Sequence, residues 1–206
     1  MRRRYLPVAF CARDKILRTG KRFRISPDEE GLSANMQTIK CTAKLRKEMG
    51  LEDSALFDGD VTGSVLGPWH ANLIYIDRRK CVLFANDKTF FNFLAPNARR
   101  DQIRELQKLF LSWLRPTLFF EGFSEAECEK IAAEYAEIGY AKTDNASVLG
   151  TMNDLAFQYT YLIKRAGGIH SAEVPAIISM LNYMPMGALK YRFAMGELRR
   201  LLAAAP

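Results

Sequence analysis

Apolar and polar positions change their rhythm partway along the chain. Trp69 to Ile76 and Cys81 to Ala85 are runs rich in β-branched and aromatic residues, separated by Asp77, Arg78, Arg79 and Lys80. This pattern predicts an antiparallel hairpin with a basic tip. Upstream, Ile39 to Thr42 reads as a short strand and Ala43 to Met49 as a helix stopped by Gly50, a residue that tolerates a left-handed cap. Residues 51–68 read as a long loop bearing Gly and Asp. Residues 89–95 fit either a third strand or a short helix, because Phe90, Phe91 and Phe93 do not alternate cleanly.

From Arg99 the period becomes helical. Ile103, Leu106, Leu109, Phe110, Trp113 and Leu114 share one face, and Pro116 is expected to bend or end that helix. Ser124-Glu-Ala-Glu127 has the form of a capping box, with Phe123 and Cys128 placed as its hydrophobic staple; the helix it opens is expected to run to Ile138 and stop at Gly139. Further helices are predicted up to Arg165, stopped by Gly167 and Gly168, then from about residue 172 to 181 and from about 193 to 202, with Pro185 and Gly187 in the turn between the last two. The fold class this implies is α+β: a small antiparallel sheet in the first half, packed against several helices from the second.

The stretch from Lys142 to Leu155, part of the helix expected to run to about Arg165, has an unusual polar face. No Lys, Arg or Glu occurs from Thr143 to Ile163. Val148, Met152, Leu155, Tyr159 and Leu162 form an apolar stripe at helical spacing, and Ser147, Thr151, Asp154 and Gln158 repeat the same steps one residue earlier. A solvated face usually carries Lys and Glu, so hydroxyls, amides and one carboxylate suggest hydrogen bonds made to something specific, either the rest of the fold or a ligand. Asp144 or Asn145 is the expected N-cap.

Asn145-Ala-Ser-Val-Leu-Gly-Thr-Met-Asn-Asp154 resembles the Asn-x-Ser-Val-Leu-Gly-x-Met-Asn-Asp signature of a bacterial family known as domain of unknown function 6933. Three further segments fit in the same order: Ile39 to Leu45, Trp69 to Phe84, and Met184 to Arg192. The likeness covers roughly residues 36 to 202. Ala146 stands where the signature often has Arg, so an anion contact from that position does not carry over. The resemblance implies a domain and brings no activity or catalytic residues with it.

Charge divides the chain. Residues 1–35 hold nine Lys or Arg against four acids, a net of +5 out of the total +7, leaving only +2 for residues 36–206. The basicity is thus mostly a property of the leader, which weakens the step from charge to nucleic-acid binding by the domain. The leader's apolar run is short and broken by Pro7, poor for a secretory signal or a span. Met36 lies just ahead of the first family-like segment, so residues 1–35 are expected to be a disordered or non-native extension, and residues 36–206 a single domain. Four dispersed cysteines with no Cys-x-x-Cys pair point to reduced, cytoplasmic usage. With only two histidines, His70 and His170, no metal site is written in the chain, no cofactor is implied, and no membrane span is expected.

Asp58-Gly-Asp-Val-Thr-Gly63 copies the opening of a calcium loop, but Trp69 stands at position twelve where a bidentate Glu belongs, so an ordinary turn is expected. No phosphate-loop or nucleophile-elbow motif occurs. Cys81 reads as strand packing, and Cys128, at a helix start, is expected at most to have its pKa lowered by the helix N-terminus. Asn145, Ser147, Thr151, Asn153 and Asp154 form the best polar cluster; His70 and Asn72 could join it, with Asp154 orienting His70 as a general base. Arg78, Arg79 and Lys80 with Arg99 and Arg100 form the best basic surface, suited to phosphate contacts. The functional expectation is therefore a binding or regulatory module contacting nucleic acid or an acidic protein through these basic turns. The alternative is a small enzyme with its site on the Asn145 to Asp154 helix. Self-association that buries the polar helix in a homo-oligomer is a third class.

Overall fold

The computed structural model describes residues 36–57 and 64–204. The basic leader and the calcium-like segment 58–63 lie outside the described residues. Strand β1 (Gln37–Cys41) leads through helix α1 (Ala43–Met49) to a hairpin of β2 (Trp69–Ile76) and β3 (Arg79–Asn86), followed by β4 (Asn92–Ala95). Helices α2 (Arg100–Arg104), α3 (Leu106–Phe120) and α4 (Glu125–Ala133) precede β5 (Ile138–Lys142). Then come α5 (Ala146–Arg165), α6 (Val174–Asn182), the two-residue strands β6 (Pro185–Met186) and β7 (Arg192–Phe193), and α7 (Ala194–Ala203).

The fold is α+β, and its sheet is mixed. Strand order is β4-β3-β2-β1-β5, with β2, β3 and β4 antiparallel and β1 parallel to both of its neighbours. The expected antiparallel sheet is thus its one half. The other half needs β5, from a segment expected to be helical: α4 stops at Ala133, and Ile138–Lys142 pairs along the whole of β1 from Gln37↔Ile138 to Cys41↔Lys142. Gln37, Thr38, Ile39 and Cys41 are buried, so β1 needs hydrogen-bond partners on both edges, and this requirement overrides the local helical pattern.

Helices cover both faces of the sheet. On one face the ring of Trp69 meets Phe93 and Phe110 edge-on, and its indole N–H donates to the Tyr135 hydroxyl at 2.8 Å, which in turn donates to the Gly67 carbonyl at 2.9 Å. On the other face α5 packs on β2 and β3, and α6 on β4. That interface is pinned by a fully buried polar network. The Asn182 side-chain oxygen accepts from the Asn92 backbone N–H at 2.9 Å and from its side-chain amide at 3.1 Å, while the Asn182 amide donates to the carbonyls of Asn92 at 2.7 Å and Ile178 at 3.0 Å. Tyr159 of α5 donates to the Asn92 side-chain oxygen at 2.7 Å. Two-sided burial also explains why the segment around β4 shows no alternation: Phe90, Phe91 and Phe93 are all buried.

Two other sequence expectations change. Pro116 lies inside α3 and does not end it; the break comes earlier, at Glu105, whose φ of −100° and ψ of 52° separate α2 from α3. Burial of Leu114, Thr117 and Leu118 carries the helix past the missing proline N–H. The hairpin turn consists of Asp77 and Arg78 alone, with φ of 50° and 61°, the mirror-image turn that suits strand twist. Arg79 and Lys80 belong to β3 instead of the tip. The Ser124–Glu127 capping box forms as expected.

Replacing Asn182 by Ala strands the buried Asn92 donors. Urea denaturation should report a loss of about 1–3 kcal/mol with an unchanged slope; a loss well below that range would mean the network is dispensable.

Candidate functional site

The parallel register sets Lys40 of β1 opposite His70 of β2, at the end of the sheet where β1 and β5 finish and β2 begins. The antiparallel partner β3 finishes at the same end, bringing Asp87 to His70. The chain leaving β5 brings Asp144 and then Asn145, the N-cap of α5. Sheet order thus gathers Lys40, His70, Asp87, Asp144 and Asn145 from four separate stretches of sequence.

His70 is the centre of this group. It is fully buried, and its Nδ1 has no hydrogen-bond partner among the described residues. Its Nε2 lies 3.3 Å from Asp87 Oδ1 and 4.0 Å from Asp144 Oδ1. The shorter contact pairs the ring with Asp87. Lys40 Nζ approaches the outer carboxylate oxygens, at 2.8 Å from Asp144 Oδ2 and 3.6 Å from Asp87 Oδ2. Asn145 has two jobs: its side-chain oxygen accepts from the Ser147 and Val148 backbone N–H groups at 3.0 and 3.2 Å, and its amide donates to Asp87 Oδ1 at 2.9 Å. The His70 imidazole, followed by the Lys40 ammonium and the Asn145 amide, holds the Asp87 carboxyl below the ordinary carboxylate range despite its partial burial. Asp144 is the open side of the site, its side chain 61% exposed.

The residues singled out from the sequence separate into groups. His70 and Asn145 meet here through Asp87. Asn72 lies one step along the same strand face as His70 and accepts from the Thr42 hydroxyl at 3.1 Å. Ser147, Asn153 and Asp154 are exposed, Thr151 is half-buried, and Asp154 makes no hydrogen bond or ion pair among the described residues. The carboxylates beside His70 are Asp87 and Asp144, where Asp154 was expected. The inner stripe of α5 consists of Val148, Met152, Leu155, Tyr159 and Ile163, with Ile163 in the place expected for Leu162.

Acidic neighbours temper the basic surface. Lys80 and Arg100 share Glu48, at 2.7 and 3.7 Å, and Arg99 pairs with Asp101 at 3.1 Å. Arg78 and Arg79 are exposed and form no ion pair among the described residues. Among the described residues the cysteines offer no activated thiolate. Burial pushes Cys41 up to about 12 and raises Cys81. Cys128 is also raised, by burial and then by Glu127 and Glu129, against the lowering expected from its helix N-terminus. Among the described residues no group of three or more His, Cys, Asp or Glu could hold a metal ion, and no helix is long and apolar enough to cross a membrane.

Lys40, Asp87 and Asp144 were not found by reading the sequence. Lys40 carried the one available signal, a charged residue inside an otherwise apolar strand pattern. The Asp residues follow a strand end and precede a cap, where Asp is common for local reasons.

The family described as Domain of unknown function (DUF6933) has a model that matches residues 38–196. No curated protein matches the chain.

Two outcomes follow from this geometry. Asn145→Ala should lower stability by about 1 kcal/mol, the usual cost of a lost cap, as read by thermal or urea unfolding. Because Asp87 has a lowered folded pKa, its contribution is fully present above the unfolded value of about 3.9 and is lost as pH falls through the folded value. The stability gap between the native chain and Asp87→Asn, followed by urea melts over a pH series, should therefore stay constant near neutrality and close in acid.

Proposed function

The chain belongs to that family, and we propose that it acts as a binding module whose ligand site is the Lys40–His70–Asp87–Asp144–Asn145 cluster at the head of α5. The observation that carries this reading is the fully buried imidazole whose Nδ1 has no hydrogen-bond partner and whose Nε2 faces two carboxylates, one of them exposed. Leaving a buried polar group unpaired costs about 1–3 kcal/mol. A fold that retains such a group next to an exposed carboxylate keeps a penalty that a ligand can relieve. The cytoplasm is the compartment we propose, supported by the free cysteines Cys41, Cys81 and Cys128.

This reading moves the partner from the basic turns to the cluster. Glu48 and Asp101 offset three of the five basic residues in that surface, leaving Arg78 and Arg79 as its phosphate contacts. An enzymatic role is the second reading, favoured by one observation: Asp87 lies against His70 Nε2, the arrangement that orients an imidazole for proton transfer.

Stability of a His70→Leu variant separates a ligand site from a structural ion pair. If His70 is held for a ligand, the variant should match or slightly exceed native stability, within about 1 kcal/mol, since an unpaired buried polar group has been replaced by an apolar one. A loss of about 3–5 kcal/mol would instead identify a structural buried pair and sink the proposal. The basic turns are tested by fluorescence anisotropy of the full chain with single- and double-stranded DNA and RNA. Binding that persists at physiological salt and is abolished by Arg78→Glu with Arg79→Glu would return the function to nucleic acid.

A further inference from the structure

We infer that the β6–β7 ribbon at the head of α7 is a docking surface for single-stranded nucleic acid, a surface other than the cluster at the head of α5. Charge is the first observation. Residues 36–206 carry a net of +2, yet between residues 183 and 200 Lys190, Arg192, Arg199 and Arg200 stand against Glu197 alone, a net of +3. Everything else in the domain sums to −1, so its excess positive charge lies in this one short stretch. Glu197 is buried and shared, at 2.9 Å from Arg192 Nη1 and 2.7 Å from Arg200 Nη2. Two guanidiniums on one carboxylate are held in place while keeping a net positive charge and further N–H donors. Lys190 is exposed and forms no ion pair among the described residues.

The rings are the second observation. Lys190-Tyr191-Arg192-Phe193 alternates cation and aromatic, and all four residues are exposed, Tyr191 at 79%. The chain leaving α6 adds exposed Tyr183 and Met184, and the next residue, Pro185, pairs with Phe193. Tyr191 also holds a left-handed backbone, φ 65°, a conformation costly for a bulky residue. Its ring gains little burial in return, so packing within the fold does not account for it. Rings and cations together select among acidic partners. An acidic peptide needs only the cations. A membrane surface needs a continuous apolar face to insert, whereas here Arg192 separates the two rings. A single-stranded nucleic acid uses both: its phosphates meet the Lys and Arg groups, and its unpaired bases offer flat faces on which Tyr191 and Phe193 stack. In a duplex those base faces are stacked on one another, so the rings favour the single strand.

The test is fluorescence anisotropy of the full chain at physiological salt with labelled oligothymidylate, oligouridylate and a DNA duplex, beside co-sedimentation with phosphatidylserine vesicles. Two variants remove a ring while suiting the local backbone. Tyr191→Asn places a residue that tolerates the left-handed conformation, and Phe193→Ser places a favoured N-cap at the start of α7. Each should weaken single-strand binding about tenfold, with the urea midpoint unchanged or raised. Lys190→Asn should weaken binding and reduce its salt dependence by about one phosphate contact. Binding that ignores both ring variants, that is as tight for the duplex, or that is lost only on Arg78→Glu with Arg79→Glu would place the contact elsewhere in the chain and overturn the inference. Vesicle binding that depends on the two rings, without oligonucleotide binding, would make the ribbon a membrane contact and overturn it as well. Displacement of the oligonucleotide by polyglutamate at equal charge would identify an acidic-protein site, with the same consequence. If no probe binds, the inference fails.

Discussion

A buried strand must pair on both edges, and the architecture of this protein follows from that requirement at β1. Four of the five residues of β1 are buried, so water cannot satisfy its backbone groups. The hairpin supplies one partner, β2. The second has to come from across the chain, and it is recruited from residues 138–142, which carry no strong strand pattern of their own. Once β5 pairs parallel to β1, its exit lies at the same end of the sheet as the exit of β1. The chain must then turn and run back over the sheet, which makes α5 the cover of that face.

The candidate site is a by-product of this geometry. Parallel pairing sets the end of β1 beside the start of β2, so Lys40 faces His70, and the return of β3 adds Asp87. The exit from β5 supplies Asp144 and the capping Asn145. Asp87 reaches His70 through the antiparallel hairpin, whereas Lys40, Asp144 and Asn145 reach the group only through the parallel half of the sheet. Their chemistry depends on the burial that α5 imposes: exposed to water, the same His and Asp pair would be screened and weakly coupled, whereas under the helix the imidazole has no solvent to hydrogen-bond.

Rigidity at the site comes from the interface behind it. The Asn92, Asn182 and Tyr159 network ties α5 and α6 to β4 through hydrogen bonds that have no competitor in water. Along α5 the inner stripe from Val148 to Ile163 is packed, and its polar neighbours Asn153 and Asp154 face outward. The conspicuous motif thus acts at its first residue. Asn145 joins the helix start to Asp87, so the capping geometry of α5 and the position of the carboxylate beside His70 are one structure.

The amino-acid sequence alone determined the elements whose signals are local. α1 with Gly50, the hairpin strands, the Ser124 capping box and the inner face of α5 all follow from spacing, caps and glycine positions within a few residues of each other. Cluster members His70 and Asn145 were legible as polar residues in distinctive segments. Only the tertiary structure decided that residues 138–142 form a strand, that Pro116 is carried inside a helix, and that Asp87 and Asp144, not Asp154, stand beside His70. Those outcomes depend on pairing and burial between residues tens of positions apart. Local pattern carries no term for the hydrogen bonds a distant buried edge requires, and that requirement is what brings the site together.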